Sequence, residues 1–229
     1  MIRKLFLYGG LSDNFAEILK PFVDASGGKD AKIVILQQGG EGWKNNDDKH
    51  KSLFNAAGAE NIEMILPESG FKIISESNKQ LIRESTGIFI WGGDTSIYNE
   101  IYCDGEIGEI IKRKYYSRIP YAGLSAGAIL AAERFCGYEY GNGVYTSYGF
   151  LKNTLVEPHF IERNGFRELL NQFDKIGFPK GLGINEDICL EITNETDCLV
   201  HGKSEGYLIN KTDPVFELIR YKSGMNFKI

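Results

Sequence analysis

Long apolar runs are missing from this chain of 229 residues. The opening MIRKLFLYGG holds an apolar stretch of only about four residues, too short for a membrane span or a secretory leader. A cytoplasmic protein with no membrane partner is the expectation. Surplus positive charge is missing too. Lys and Arg number 26 against 31 Asp and Glu, a net charge of −5. That leaves no electrostatic footprint for nucleic acid, and the one dense basic run, KRKYY at 112–116, reads as a solvated helix end. Cysteine is sparse. Cys103, Cys136, Cys189 and Cys198 form no CxxC pair and no zinc spacing, so reduced thiols and no metal site are expected. Histidine is sparser still, with three residues in the whole chain.

What is present is ordinary globular composition, 42% hydrophobic and 25% charged, long enough to bury a core without staples. Short apolar runs alternate with amphipathic stretches. Strands are expected at 4–10, 31–40, 61–67, 87–95 and 119–127. Helices are expected at 14–26, 49–60, 77–86, 96–118 in two pieces, and 126–135. Strand then helix, five times over, predicts an α/β fold: a three-layer sandwich around a mostly parallel central sheet. Right-handed crossovers bring every strand's carboxyl end to one edge, where ligands bind in such folds. The Gly-Gly pairs at 9–10, 39–40 and 92–93 fall on that edge. Beyond residue 135 the texture becomes Tyr- and Gly-rich at 137–150. Hairpin material follows at 181–193 and 198–210, then a last strand or two at 215–229. No linker or repeat interrupts the chain, so residues 1–229 read as one domain.

GLSAG at 123–127 fits G-x-S-x-G and sits where a predicted strand meets a predicted helix, the context a nucleophile elbow requires. Ser125 is then the candidate nucleophile, with the Ala126 amide facing a developing oxyanion. A serine needs a base. His50 lies in a charged segment expected to be exposed, and His201 in an expected hairpin turn. His159, in VEPHFIER, has a rigid and partly apolar setting and is the candidate base. The orienting carboxylate is to be found among Glu133, Glu139, Glu157 and Glu162. Glu139, in the Tyr/Gly-rich loop, is the one most free to reach the imidazole. Asp94 and Thr95 of GGDT either bind substrate or cap the next helix. Glu186 and Asp187 read as hairpin-turn residues. An α/β-hydrolase places its histidine on the order of a hundred residues beyond the serine, so this pair belongs to another fold family.

GLSAGA after a strand, WGGDT before it, EPHFIERNGFRELL after it and GLGINED later resemble, in that order, peptidase family S51, over about residues 5–210 of this sequence. That family contains dipeptidase E (aspartyl dipeptidase) and cyanophycinase. The resemblance implies a fold similar to class I glutamine amidotransferases and a cytoplasmic serine peptidase with no cofactor. It implies Ser125 as nucleophile, His159 as base, and Gly93 with Ala126 as the oxyanion-hole amides. Its acidic third member is expected in the loop between the serine and histidine motifs, where Glu139 sits nearest. The implied substrate is a small peptide cut after an aspartyl residue, with Arg163 nominated for the acidic side chain. A β-aspartyl or cyanophycinase-like specificity is the alternative, and a silent binding domain on the same fold a more distant one. Monomer and homodimer are both compatible with the sequence.

Overall fold

The structure is a computed structural model that describes residues 2–39, 47–68, 73–137 and 143–229. Five strand–helix units open the chain. β1 (Lys4–Tyr8) leads to α1 (Phe15–Ser26), β2 (Lys32–Leu36) to α2 (Asp47–Ala56) and β3 (Asn61–Ile65) to α3 (Glu76–Glu84). β4 (Gly87–Ile90) leads to α4 (Thr95–Tyr102) and α5 (Gly105–Tyr116), and β5 (Tyr121–Leu124) to α6 (Ala126–Ile129). The local reasons are legible. In α1, Phe15, Ile18, Leu19, Phe22 and Val23 are buried, a three-and-four spacing that makes one apolar stripe. β4 and β5 are buried at every position, as strands covered on both faces must be.

The second half of the chain is strand-rich. β6 (Arg134–Cys136), β7 (Val144–Thr146) and β8 (Thr154–Pro158) come first, then α7 (Gly165–Ile176) and β9 (Lys180–Ile184). β10 (Ile188–Thr193), β11 (Asp197–Gly202), β12 (Glu205–Thr212), β13 (Val215–Lys222) and β14 (Asn226–Lys228) follow.

The main sheet has eight strands in the order β14-β11-β10-β1-β5-β4-β2-β3. The five from β1 to β3 in that order are parallel, and β10, β11 and β14 extend them antiparallel. From β1 through β2 to β3 the chain steps one way across the sheet, and from β3 through β4 to β5 it steps back. Right-handed crossovers therefore put α1 and α2 on one face and α3, α4 and α5 on the other. α1 packs on α2 and α3 on α5 accordingly. The main core lies between these layers. The four cysteines are free and buried in the structure. No helix among the described residues is long and apolar enough to cross a membrane.

A second sheet was not anticipated. It has four strands in the order β13-β12-β9-β8, with β8 and β9 parallel and joined through α7. Leu155, Phe160, Leu169, Phe173, Phe178 and Ile209 form its own core beneath α7. The segments expected to pair as hairpins are divided between the sheets. β9 leaves the second sheet, turns, and enters the first as β10. β11 pairs with β10 in the main sheet, whereas β12 pairs with β9 in the second.

α6 is also shorter than the spacing predicts. Its last turn tightens, with Ala131 N–H on Ala128 O at 3.2 Å and Ala132 N–H on Ile129 O at 3.0 Å. Ala132 then bridges Leu151, ending the helix. The glycines around Ser125 serve this close packing, not substrate access. A Cβ on Gly127 would lie 2.2 Å from Ile90 O, and one on Gly123 2.1 Å from Gly127 O. Both obstacles are backbone and cannot swing aside. Gly127→Ala should therefore cost about 3 kcal/mol by overpacking, a Tm drop of roughly 6–12 °C for a chain of this size. Thermal and urea unfolding of the variant check this. A Tm within a degree of wild type would mean that α6 moves freely over β4.

Candidate active site

Ser125 follows β5 at the carboxyl edge of the main sheet. Its backbone has φ 52° and ψ −111°, a strained geometry for a residue with a Cβ that costs about 1–3 kcal/mol. Its N–H is held by Tyr8 O at 3.0 Å. The hydroxyl projects from the sharp turn, and Ala126 begins α6 with an amide that has no intrahelical acceptor. The elbow geometry expected from GLSAG is thus present.

His159 follows β8 at the corresponding edge of the second sheet. Its backbone is left-handed at φ 49°, and its carbonyl accepts the Arg163 N–H at 2.9 Å. His159 Nε2 lies 2.9 Å from Ser125 Oγ. His159 Nδ1 lies 2.7 Å from Glu186 Oε1. An ionised carboxylate only accepts, so Nδ1 carries the proton, and Nε2 is left as acceptor for the Ser125 hydroxyl. His159 is 8% exposed. Burial pushes its pKa below the usual imidazole value, and the nearby Arg163 cation adds to this. The Glu186 hydrogen bond and charge oppose it.

The carboxylate on the base is therefore Glu186, which the sequence pattern reads as a turn residue. Glu139 lies outside the described residues. The other three acid candidates are committed elsewhere. Glu133 faces Lys152 at 3.7 Å. Glu157 is buried and accepts the Gln172 amide at 2.7 Å. Glu162 accepts the Glu186 N–H at 3.1 Å. A signal for Glu186 was available. β8, α7 and β9 form a strand–helix–strand unit, so the residues after β9 reach the same edge as those after β8. Pro158 and Ile184 are register partners, and the polar triplet Asn185-Glu186-Asp187 comes next.

Cross-ties hold the two turns together. Asn185 Oδ1 accepts the Ile161 N–H at 3.1 Å. Asp187, itself at φ 58°, takes the Ser12 hydroxyl at 2.9 Å and the Asn14 amide at 3.4 Å. Gly9 and Gly10, at the end of β1, lie directly beneath. A Cβ on Gly10 would fall 2.7 Å from His159 Cε1 and 2.6 Å from Glu186 Cγ. The first Gly-Gly pair thus makes room for the catalytic pair of side chains.

Ser125 and His159 open onto a cavity of about 300 Å³, also lined by Gly93, Asp94, Thr95, Ser96, Ile129, Glu157, Pro158, Arg163 and Glu168. Asp94 caps α4, accepting the Ser96 and Ile97 amides at 2.8 and 3.1 Å, which bears out the capping alternative. Thr95 is the first, buried residue of that helix. Arg163 is exposed. Among the described residues it is ion-paired with neither Glu162 nor Glu168.

The remaining histidines are accounted for. His50, expected to be exposed, is 7% exposed. Its Nδ1 lies 2.7 Å from Gln37 Nε2 and its ring packs against Trp91, with centroids 4.0 Å apart and planes tilted by 34°. The flanking charges of α2 hide that its fourth residue faces the core. His201 lies within β11, not in a turn, and its Nε2 is 2.8 Å from Glu191 Oε2. No thiol competes as nucleophile, because burial raises all four, Cys103 up to about 12. Among the described residues no group of three His, Cys, Asp or Glu converges as metal ligands.

The sequence model of peptidase family S51 matches residues 9–200. The chain is 24% identical over 210 residues to cyanophycinase of Geminocystis herdmanii, covering 87% of this chain and 77% of the relative. It is likewise 24% identical over 220 residues to cyanophycinase of Nostoc sp., covering 91% and 74%. In fold it resembles the crystal structure of a peptidase from an acI-B1 Actinobacterium, with a TM-score of 0.75 at 18% identity over 100% of this chain and 98% of that one. The family match spans the elbow, the histidine turn and the acidic turn alike, and the chain belongs to peptidase family S51, as a serine-type hydrolase.

Proposed function

We propose that this enzyme hydrolyses the peptide bond after an aspartyl residue in dipeptides or short peptides, with Ser125, His159 and Glu186 as its catalytic residues. The observation that carries this is the continuous hydrogen-bonded line from Ser125 Oγ through His159 to Glu186 at the mouth of the cavity. His159 Nε2 takes the serine proton as Oγ attacks the carbonyl carbon. The amides of Gly93 and Ala126 receive the oxyanion. His159 then passes the proton to the leaving amine, which departs, and the acyl-enzyme is hydrolysed by water activated at the same nitrogen. Glu186 keeps the imidazole in the required tautomer and offsets the imidazolium charge. The expected likeness of fold to class I glutamine amidotransferases belongs to the same reading.

The cavity's charges support a short acidic peptide. Arg163 offers a cation with no protein partner among the described residues, suited to a side-chain carboxylate. Asp94 and Glu168 line the same cavity and suit a free ammonium group. A zwitterionic dipeptide with an acidic side chain carries both signs within that reach. The cyanophycinase relatives keep a β-aspartyl linkage as the second reading. A panel of matched α- and β-aspartyl dipeptides separates the two, with turnover of the α series expected to dominate.

Ser125→Ala should fold normally and lose kcat by several orders of magnitude. Retention of most of the rate would remove Ser125 from the chemistry. The base acts only when neutral, and burial keeps its pKa low. In wild type, kcat/KM should therefore rise with pH through a value below about 6.5 and be level at neutrality. Glu186→Gln removes an upward pull on His159, so the acid limb should move to lower pH while kcat falls by at least about 100-fold. A pH–rate profile reads both effects, and an unaltered kcat would take the orienting role away from Glu186. Arg163→Met should raise KM about tenfold or more for aspartyl substrates and leave asparaginyl analogues little changed. Equal losses on both series would place aspartyl recognition elsewhere in the cavity.

A further inference from the structure

The oxyanion segment is clamped from the end of β2, one strand away from the chemistry. β2 and β4 are parallel partners, with Leu36 opposite Ile90. The ladder runs one step past the strands, where Trp91 N–H reaches Leu36 O at 3.1 Å. A parallel ladder would next take the amide two residues on, that of Gly93, to the carbonyl of Gln38. That step is missing. Instead the Gln38 side chain reaches over, and its Oε1 accepts the Asp94 N–H at 2.8 Å. The Gly93 amide has no hydrogen-bond partner among the described residues, and Gly93 lines the cavity beside Ser125.

Both flanks of the Gly92–Gly93 segment are thus tied to β2, one by backbone and one by a side chain. The Gly92 carbonyl, which shares a peptide plane with the Gly93 N–H, accepts the Tyr98 hydroxyl at 3.3 Å. Trp91 is also packed against the His50 ring. Between these ties the two glycines have no side chain of their own with which to set the peptide plane. The bond to Asp94 N–H fixes the next peptide, Gly93–Asp94, and so anchors Gly93 from its C-terminal side. Gln38 does not line the cavity, so it acts only through Gly93.

We infer that Gln38 is a positioning residue whose side-chain carbonyl, by holding the Asp94 amide, pins Gly93 from its C-terminal side and so, together with the Tyr98 bond to the Gly92 carbonyl, keeps the Gly93 N–H aimed at the oxyanion. This rests on Gly93 as an oxyanion donor, and its test is independent of which peptide the enzyme prefers. The probe is an uncharged dialkyl fluorophosphonate. Ser125 Oγ displaces fluoride from phosphorus, its proton passes to His159, and the phosphoryl oxygen occupies the oxyanion position. Gln38→Met keeps an unbranched chain of similar length without the acceptor, and Gln38→Ala is the second variant without one. Gln38→Glu keeps an acceptor.

The expected result is a labelling rate roughly 10- to 100-fold lower in Gln38→Met and Gln38→Ala, less than or equal to the loss of a whole oxyanion donor. The rate in Gln38→Glu should stay within about threefold of wild type. On a cleaved peptide the fall should be in kcat with KM unaltered, which a loosened fold would not produce selectively. A folded Gln38→Met or Gln38→Ala that labels at the wild-type rate overturns the assignment of Gln38 alone. So does Gln38→Glu falling as far as the other two. A folded wild type that is not labelled at Ser125 at all overturns the serine reading beneath it as well.

Discussion

Two sheets share one core, and the chemistry depends on how closely they approach where Ser125 faces His159. Ser125 belongs to the parallel sheet, whereas His159 and Glu186 come from the second sheet and the turn that leaves it. The 2.9 Å contact between Ser125 Oγ and His159 Nε2 therefore measures the distance between layers as much as between residues. The spacing is set at the end of β1. A Cβ on Gly9 would sit 2.1 Å from Asn185 O, and one on Gly10 would enter the imidazole. Any larger residue at either position would force the second sheet's turns away from the elbow. A displacement of about 1 Å is enough to cost two orders of magnitude in an aligned proton transfer.

The site's electrostatics follow from the same junction. Burying His159 between the layers disfavours its charged form, which keeps it available as a base at neutral pH. Glu186 is more exposed, with 40% of its side chain open, so water screens part of its pull on the ring. The balance lowers the imidazole's pKa while still fixing its tautomer. Deeper burial of Glu186 would bind the proton to the imidazole more tightly and raise its pKa. Full exposure would leave the ring free to rotate. A carboxylate on a short turn at the rim meets both demands.

The parallel half of the fold was legible because its strands are short, mostly apolar runs, most of them ending in glycines or a cap. Periodicity placed the starts of β1 to β5 and of their helices within two residues, and placed Ser125 at a strand end. The second half was harder, because the partner of a strand is not written next to it. β9 and β10 look like a hairpin in sequence yet belong to different sheets. α7 was not anticipated, and its burial of Leu169 and Phe173 makes sense only with a second sheet beneath it. Glu186 was missed for this reason, since its role depends on β8 and β9 being parallel neighbours. His50 was misjudged because the charges around it obscured a single inward-facing position.

Strain concentrates where the strands end. Ser125, His159, Asn164 and Asp187 all have positive φ without being glycine, and each such residue costs about 1–3 kcal/mol. Such geometry persists only if its surroundings over-determine it, and each turn here is tied from outside. Tyr8 holds the Ser125 amide, Asn185 holds Ile161, Glu162 holds Glu186, and Ser12 holds Asp187. Most of these ties run between turns rather than into the core beneath them. Release of any one turn therefore removes support from its neighbours. The elbow, the histidine turn and the acidic turn consequently behave as one unit, and a substitution in a tying residue such as Ser12 acts on the chemistry through geometry while leaving the core packing of either sheet intact.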